Sequence, residues 1–216
     1  MNRTAFWAII GTLLVGGVWA ITWMASQSAG EGETVVQEET AQIRESDQVK
    51  GSREASLVLV EYSDFQCPAC QFYAGWISQL AETYGDDLAF VYRHFPLRSI
   101  HAQAEQAAIA AEAAGRQGMF WEYHDVLFQR QKEWAESGSA SQLFLSYAQT
   151  LGLDVEAFAS DMKDSEIQDK VRRDLAEGQV LGVRGTPTFF LQGVRIQNPQ
   201  TYAELEQHIL RELQKN

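Results

Sequence analysis

Apolar and polar positions along the chain follow two periodicities, and their order predicts the architecture. Residues 57–62 (LVLVEY) form a short, β-branched, almost wholly apolar run, the pattern of a central strand covered on both faces. After Ser63, Asp64 and Phe65 the period changes. In CPACQFYAGWISQLAETYG, Phe72, Trp76, Leu80 and Tyr84 recur four apart on one helical stripe, and Gly85 stops it. Residues 88–95 (LAFVYRHF) read as a second strand closed by Pro96. Two strands joined by a helix make a βαβ unit, parallel and right-handed by default. From about 101 to 182 the pattern is helical throughout, with helices predicted over 101–115, 119–132, 140–151, 155–162 and 165–181. Ser139 to Gln142 and Ser165 to Gln168 have capping-box spacing, and Gly118, Gly138 and Gly152 supply breaks. The stripe Phe120, Tyr123, Leu127 and Phe128 reads as core. Strand character returns at 188–191 (TFFL), with Gln192 and Gly193 at a turn before 194–196, a hairpin signal. A last helix is expected from Pro199, burying Tyr202, Leu205, Ile209 and Leu213. The result is an α/β domain over 55–216 with an all-helical insertion at about 101–182.

The N-terminal residues follow neither pattern. Ala5 to Ala25 carry no charge, and at about 1.5 Å per residue they span the roughly 30 Å hydrocarbon core of a bilayer. The run exceeds a signal-peptide apolar region of about 7–15 residues. Arg3 precedes it, and Glu31, Glu33, Glu38 and Glu39 follow. The positive-inside rule therefore expects a single-pass anchor over residues 1–25, with the N-terminus in the cytoplasm and the domain outside. A cleaved signal peptide is the alternative, although Ala25 and Ala29 lack a small residue two positions earlier; either version exports the domain. Residues 26–54 are polar and acidic, and read as a flexible tether with at most a short strand or helix near Val35 or Ile43. An apolar content of 45% suits one domain with a real core, and a formal charge of −12 argues against a nucleic-acid binder.

Candidate chemistry enters with the only two cysteines, Cys67 and Cys70. Structural zinc needs four ligands, and His94, His101, His124 and His208 fall on a strand end and three different helices. Covalent haem needs CxxCH, but Gln71 follows Cys70. A staple over so short a loop removes little chain entropy. Redox exchange has a mechanism: at a helix N-terminus, unpaired N–H groups and the dipole stabilise a thiolate at Cys67. Pro68 in the first turn sacrifices no helical hydrogen bond and brings Cys70 round one turn later. Two inert buried cysteines remain the other reading. Glu61, in an otherwise apolar strand, is costly to bury without a partner or a task.

VEYSDFQCPACQFY, YRHFPL at 92–97, GVRGTPTFFLQG at 182–193 and the helical block between them resemble the DsbA-like thiol–disulfide oxidoreductases of the thioredoxin superfamily, over about residues 55–214. The resemblance implies a thioredoxin-like fold with a helical insertion and an activity on reduced or unfolded exported proteins. It makes Cys67 the nucleophile, Cys70 the resolving thiol, and Cys67–Cys70 the redox-active disulfide. It makes Pro187, after Thr186, a cis-proline facing the pair, where a substrate peptide adds as a strand. Thr186, Pro187, Pro68 and Ala69 then line the substrate site, and Glu61 is the proton acceptor for Cys70. Arg93 and His94 read as structural and stay outside the catalytic set. No cofactor or metal is implied. The implied partner is a membrane quinone-linked, DsbB-like protein that reoxidises the pair. No separate dimerisation domain is visible, so a monomer is expected. Strongly oxidising members resemble CPHC; with Ala69 in place of that histidine an intermediate potential is expected, and the dithiol-oxidase direction is set by the redox partner. A reductase, an isomerase or a non-catalytic binding module are the alternatives.

Overall fold

Seven consecutive buried residues place Leu57–Ser63 at the centre of a five-stranded sheet. The structure, a computed structural model, describes residues 40–215. In chain order its elements are β1 (Gln48–Lys50), β2 (Leu57–Ser63), α1 (Pro68–Tyr84), β3 (Leu88–His94), α2 (Ala104–Arg116), α3 (Phe120–Gln129), α4 (Gln131–Trp134), α5 (Ala140–Thr150), α6 (Val155–Asp161), α7 (Ser165–Val180), β4 (Thr188–Leu191), β5 (Val194–Ile196) and α8 (Tyr202–Leu213). The sheet order is β1-β3-β2-β4-β5, with β2 and β3 parallel and the other neighbours antiparallel. This is the expected α/β domain with a helical insertion.

Strand alternation divides the core in two. Leu57 and Leu59 of β2, with Phe90 and Tyr92 of β3, pack with Ile77 and Leu80 of α1, the aromatic stripe of α3, and Leu205 and Ile209 of α8. Val58, Val60 and Tyr62 face the other way, with Val91, Phe95, Val183 and Phe190, against Leu175 of α7. A Cβ at Gly178 would sit 2.7 Å from the Phe95 ring and 3.0 Å from Tyr62, so α7 lies this close to the sheet only because that position is glycine. Gln192 and Gly193 both adopt positive φ, 49° and 77°, which closes the expected hairpin.

Several expectations need correcting. The tether expected to reach Glu54 meets a strand at Gln48–Lys50, paired with Tyr92, Val91 and Phe90 of β3. Arg93 explains why: its guanidinium is fully buried and takes the carboxylate of Asp47 at 2.9 Å, which ties this segment down. The stripe of α1 is displaced by a residue: Cys70, Tyr73, Ile77 and Leu80 point inward, whereas Phe72 is 58% exposed. Turning Cys70 into the core sets that phase. Ser139 makes no side-chain cap, and Ser165 lies inside α7, which Asp164 caps by accepting from Glu166 N. The last helix starts at Tyr202, not Pro199, because Thr201 caps it by accepting from Glu204 N. Among the described residues no helix is long and apolar enough to cross a membrane; the expected anchor, Ala5 to Ala25, and Val35 lie outside them.

Candidate active site

The extended backbone at Cys67 (φ −75°, ψ 122°) turns β2 into α1, and Pro68 occupies the start of that helix. Cys67 is therefore the N-cap residue, and Cys70 falls one turn on, facing inward. Both thiols are free, 7% and 1% exposed. The hydrogen bond from the Cys70 thiol, the largest influence, brings Cys67 down to about 5 against the effect of burial, and the Thr186 side chain and the backbone of Cys70 and Ala69 add to it. Cys70 moves the opposite way: burial first, then its bond to Cys67 and the charge of Glu61, push it well above the ordinary thiol value. The sequence expected one thiolate and one protonated thiol, and the helix terminus and the core supply the two environments.

Glu61 stands in the middle strand, in register with Tyr92 on one side and Phe189 on the other. It is 3% exposed, and its partner is the Ser63 hydroxyl, which donates to it at 2.6 Å. Burial pushes it up to about 8, the Ser63 bond opposes, and the charge of Cys67 adds to the rise. The Thr186–Pro187 peptide is cis, and the Thr186 carbonyl oxygen lies 3.3 Å from Cys67 Sγ. The structure thus brings Cys67, Cys70, Glu61, Thr186 and Pro187 to one place, with Pro68 and Ala69 exposed at the rim. Beside the Thr186–Pro187 loop lies a groove of about 650 Å³ lined by Gly185 to Thr188, Arg195 and Asn198. Across Pro68 lies another of about 570 Å³, lined by Gln66, Gln71, His101 and an Ile100 that is 71% exposed.

Other residues hold this arrangement and gave no signal in the sequence. Gln131 Nε2 donates to the carbonyls of Phe65 (2.7 Å) and Cys67 (3.0 Å), pinning the turn into α1. Asp64 accepts from Gln66 N and Leu97 N and contacts His101 Nδ1 at 2.7 Å. Asn198 Nδ2 donates to the Pro187 carbonyl at 2.7 Å. Each is a polar side chain joined to a distant backbone group, which no local periodicity records. Arg93 and His94, set aside as structural, are both fully buried, Arg93 on Asp47 and His94 on Glu112.

A strand leading into a CxxC helix start, faced by a cis-proline loop, defines a thioredoxin-fold oxidoreductase site. A family model described as Thioredoxin matches residues 44–211, and the chain belongs to that family. A thioredoxin-like oxidoreductase from Silicibacter pomeroyi is 27% identical with a TM-score of 0.68, over 79% of this chain and 94% of that one. Wolbachia pipientis alpha-DsbA1 is 20% identical with a TM-score of 0.72, over 81% and 94%, a likeness of fold. A protein of Mycolicibacterium vanbaalenii named Na(+)/H(+) antiporter NhaA 1 is 39% identical over 163 residues, 74% of this chain but 25% of that protein. The chain thus spans about a quarter of the curated relatives it matches. The DsbA-like reading of the sequence agrees with the family and these neighbours.

Proposed function

We propose that this protein is an extracytoplasmic thiol–disulfide oxidoreductase that introduces disulfide bonds into exported proteins through Cys67 and Cys70. The observation that carries the reading is the pair of free thiols at the start of α1, Cys67 as the N-cap residue 3.3 Å from the Thr186 carbonyl of the cis peptide and Cys70 buried one turn on, close to the buried Glu61. In the oxidising turn, a substrate thiolate attacks Cys67 Sγ of the Cys67–Cys70 disulfide. The bond between the cysteines breaks and Cys70 leaves as a thiolate, taking a proton from Glu61. The substrate's second thiolate then attacks its own sulfur in the mixed disulfide, forming the substrate disulfide and releasing Cys67 as the stabilised thiolate. Two electrons pass from substrate to enzyme, and a membrane quinone-linked partner takes them up. The low value at Cys67 favours this direction, because a good leaving thiolate stabilises the reduced enzyme.

Thr186, Pro187, Pro68 and Ala69 hold the substrate, with its backbone laid along the Thr186–Pro187 loop. The exposed Phe72 and Ile100 offer apolar contact to an unfolded chain. The uncharged run of Ala5 to Ala25 supports a single-pass anchor with the domain outside. Relatives named as antiporters, a quarter of whose length matches this domain, fit a domain held at a membrane. Reduction of insulin and oxidation of a dithiol peptide test the activity: Cys67→Ala abolishes both, and wild-type rates in that variant sink the reading. Cys70→Ser traps mixed disulfides in cells. Recovery of the protein in the cytosolic fraction contradicts the location.

A further inference from the structure

Glu61 has to exchange protons with the solvent, and its surroundings give it no direct exit. The reading above, on which this inference rests, has Glu61 receive the proton of Cys70 when Cys70 becomes a nucleophile, and return it when Cys70 leaves. Buried as it is, Glu61 already carries a proton near neutral pH, and must shed it before it can accept another.

A line of polar atoms leads away from it. Ser63 Oγ donates to Glu61 Oε1 at 2.6 Å. Tyr92 is the partner of Glu61 in the register of β2 and β3, and its buried hydroxyl has no aligned protein partner, although Ser63 is near enough to act on it. Two residues further along the same face of β3 stands His94, its ring centroid 5.3 Å from that of Tyr92. His94 Nε2 contacts Glu112 Oε1 at 2.7 Å, whereas its Nδ1 is buried with no partner. Burial would raise Glu112, but Lys170 and then His94 outweigh it and keep the carboxylate ionised. With its Nε2 proton directed at Glu112, the His94 ring leaves the Nδ1 lone pair open. Tyr92 Oη and His94 Nδ1 are thus a buried donor and a buried acceptor on neighbouring rings, neither of them taken by another protein group. Glu112 in turn takes Lys170 Nζ and Gln48 Nε2, both at 2.8 Å, and reaches a surface cavity of about 520 Å³ that Arg116 and Arg173 also line.

The packing around this line is aromatic. Phe65 stacks on Tyr92 with centroids 5.0 Å apart, and Phe120 closes from α3 at 5.7 Å. The charged and titratable groups facing His94 are Glu112 from α2, Lys170 and Asp174 from α7, and His124 from α3 with Asp125 and Lys50 behind it. On its inner side is Tyr92, which in turn faces Cys70, Glu61 and Asp64.

We propose that Tyr92 and His94 form the proton path of Glu61, joining it through Ser63 to the cavity at Glu112 and Lys170. When Cys70 attacks the mixed disulfide, its proton passes to the Glu61 carboxylate, a bond forms between Cys70 Sγ and Cys67 Sγ, and the partner sulfur leaves as a thiolate. The proton Glu61 held beforehand travels through the Ser63 and Tyr92 hydroxyls toward His94 Nδ1, and the other ring nitrogen hands a proton on to Glu112, 2.7 Å away. Neither Tyr92 nor His94 touches substrate; both act through Glu61.

The test uses the reduced full chain and an aromatic disulfide that releases a coloured nitrothiobenzoate at each exchange. The first release reports attack by Cys67, and the second reports attack by Cys70. In Tyr92→Phe and His94→Gln the first release stays within about twofold of wild type, while the second slows about tenfold near pH 7. That deficit shrinks as the pH rises past the range in which Cys70 needs help to ionise. Removing an unpaired buried hydroxyl is neutral or stabilising for the fold, so a slow second release in Tyr92→Phe does not come from lost stability. An unchanged second release in both variants overturns the path. So does an equal slowing of both releases at every pH, which marks a structural role. If Cys67→Ala gives both releases at wild-type rates, the exchange reading itself fails.

Discussion

The two faces of the central sheet both bury charge, and they treat it differently. On the face toward α7, Arg93 takes Asp47, Tyr62 donates to Glu177, and Arg44 bonds Asp174. Every one of those groups has an opposite. On the face toward α1, the neighbouring strand positions leave Glu61 with a hydroxyl as its partner, and Tyr92 Oη and His94 Nδ1 with none. Tyr92 and Arg93 are consecutive in β3, as are Glu61 and Tyr62 in β2, so alternation alone sends one of each pair to each face. Matched charge holds the N-terminal strand to the domain, and among the described residues the buried side-chain polar atoms without a protein partner are Tyr92 Oη, His94 Nδ1 and Thr186 Oγ1. A buried group without a partner costs stability, and its position beside a reactive pair is where such a cost serves chemistry.

Breaking the matched face has the largest effect. Arg93→Met strands Asp47 in the core and costs about 3–5 kcal/mol, read from the urea midpoint; a loss below about 1 kcal/mol would mean that the pairing holds nothing. On the other face the sign reverses. Glu61 rises from 4.5 to about 8, so its favourable contribution is complete below 4.5 and is lost as the pH climbs through 8. Glu61→Gln therefore gains on wild type with increasing pH, on the order of 5 kcal/mol by about pH 9, while the second of the two exchange steps slows. A variant that is less stable than wild type at that pH contradicts the assignment. Cys67 sharpens the contrast. Its value falls from 9.0 to about 5, so the unfolded thiol holds more protons between those limits and the reduced protein gains stability as the pH rises through them. Unfolding curves of reduced and oxidised protein then diverge from about pH 5 to 9, and parallel curves count against a stabilised thiolate. The smallest effect belongs to the surface. Phe72→Ser changes stability by less than about 0.5 kcal/mol, yet raises KM for an unfolded protein several-fold over that for a short dithiol peptide.

What the sequence disclosed and what it hid follow from the range of the interactions. LVLVEY and CPACQFY are local patterns, and they located β2, the start of α1 and both cysteines. Pro187 was legible through the resemblance of its flanking residues, although nothing near position 187 points to position 67. The phase of α1 was not, since Phe72 and Tyr73 are both aromatic and only the inward turn of Cys70 decides between them. Strand β1 was hidden because its reason lies at Arg93, 46 residues on from Asp47. Gln131, Asp64 and the His94–Glu112 pair were hidden likewise, since a buried polar group is satisfied across the fold and imposes no period on its neighbours.

The central claim is that the pair accepts electrons from exported dithiols, and the equilibrium reduction potential of Cys67–Cys70 against glutathione tests it most directly. The stabilised Cys67 thiolate, with Ala69 offering no further charge, places the potential between about −120 and −220 mV, with the pair oxidised in the cell. A value near −270 mV, with the pair found reduced in the cell, contradicts it and makes the protein a reductase.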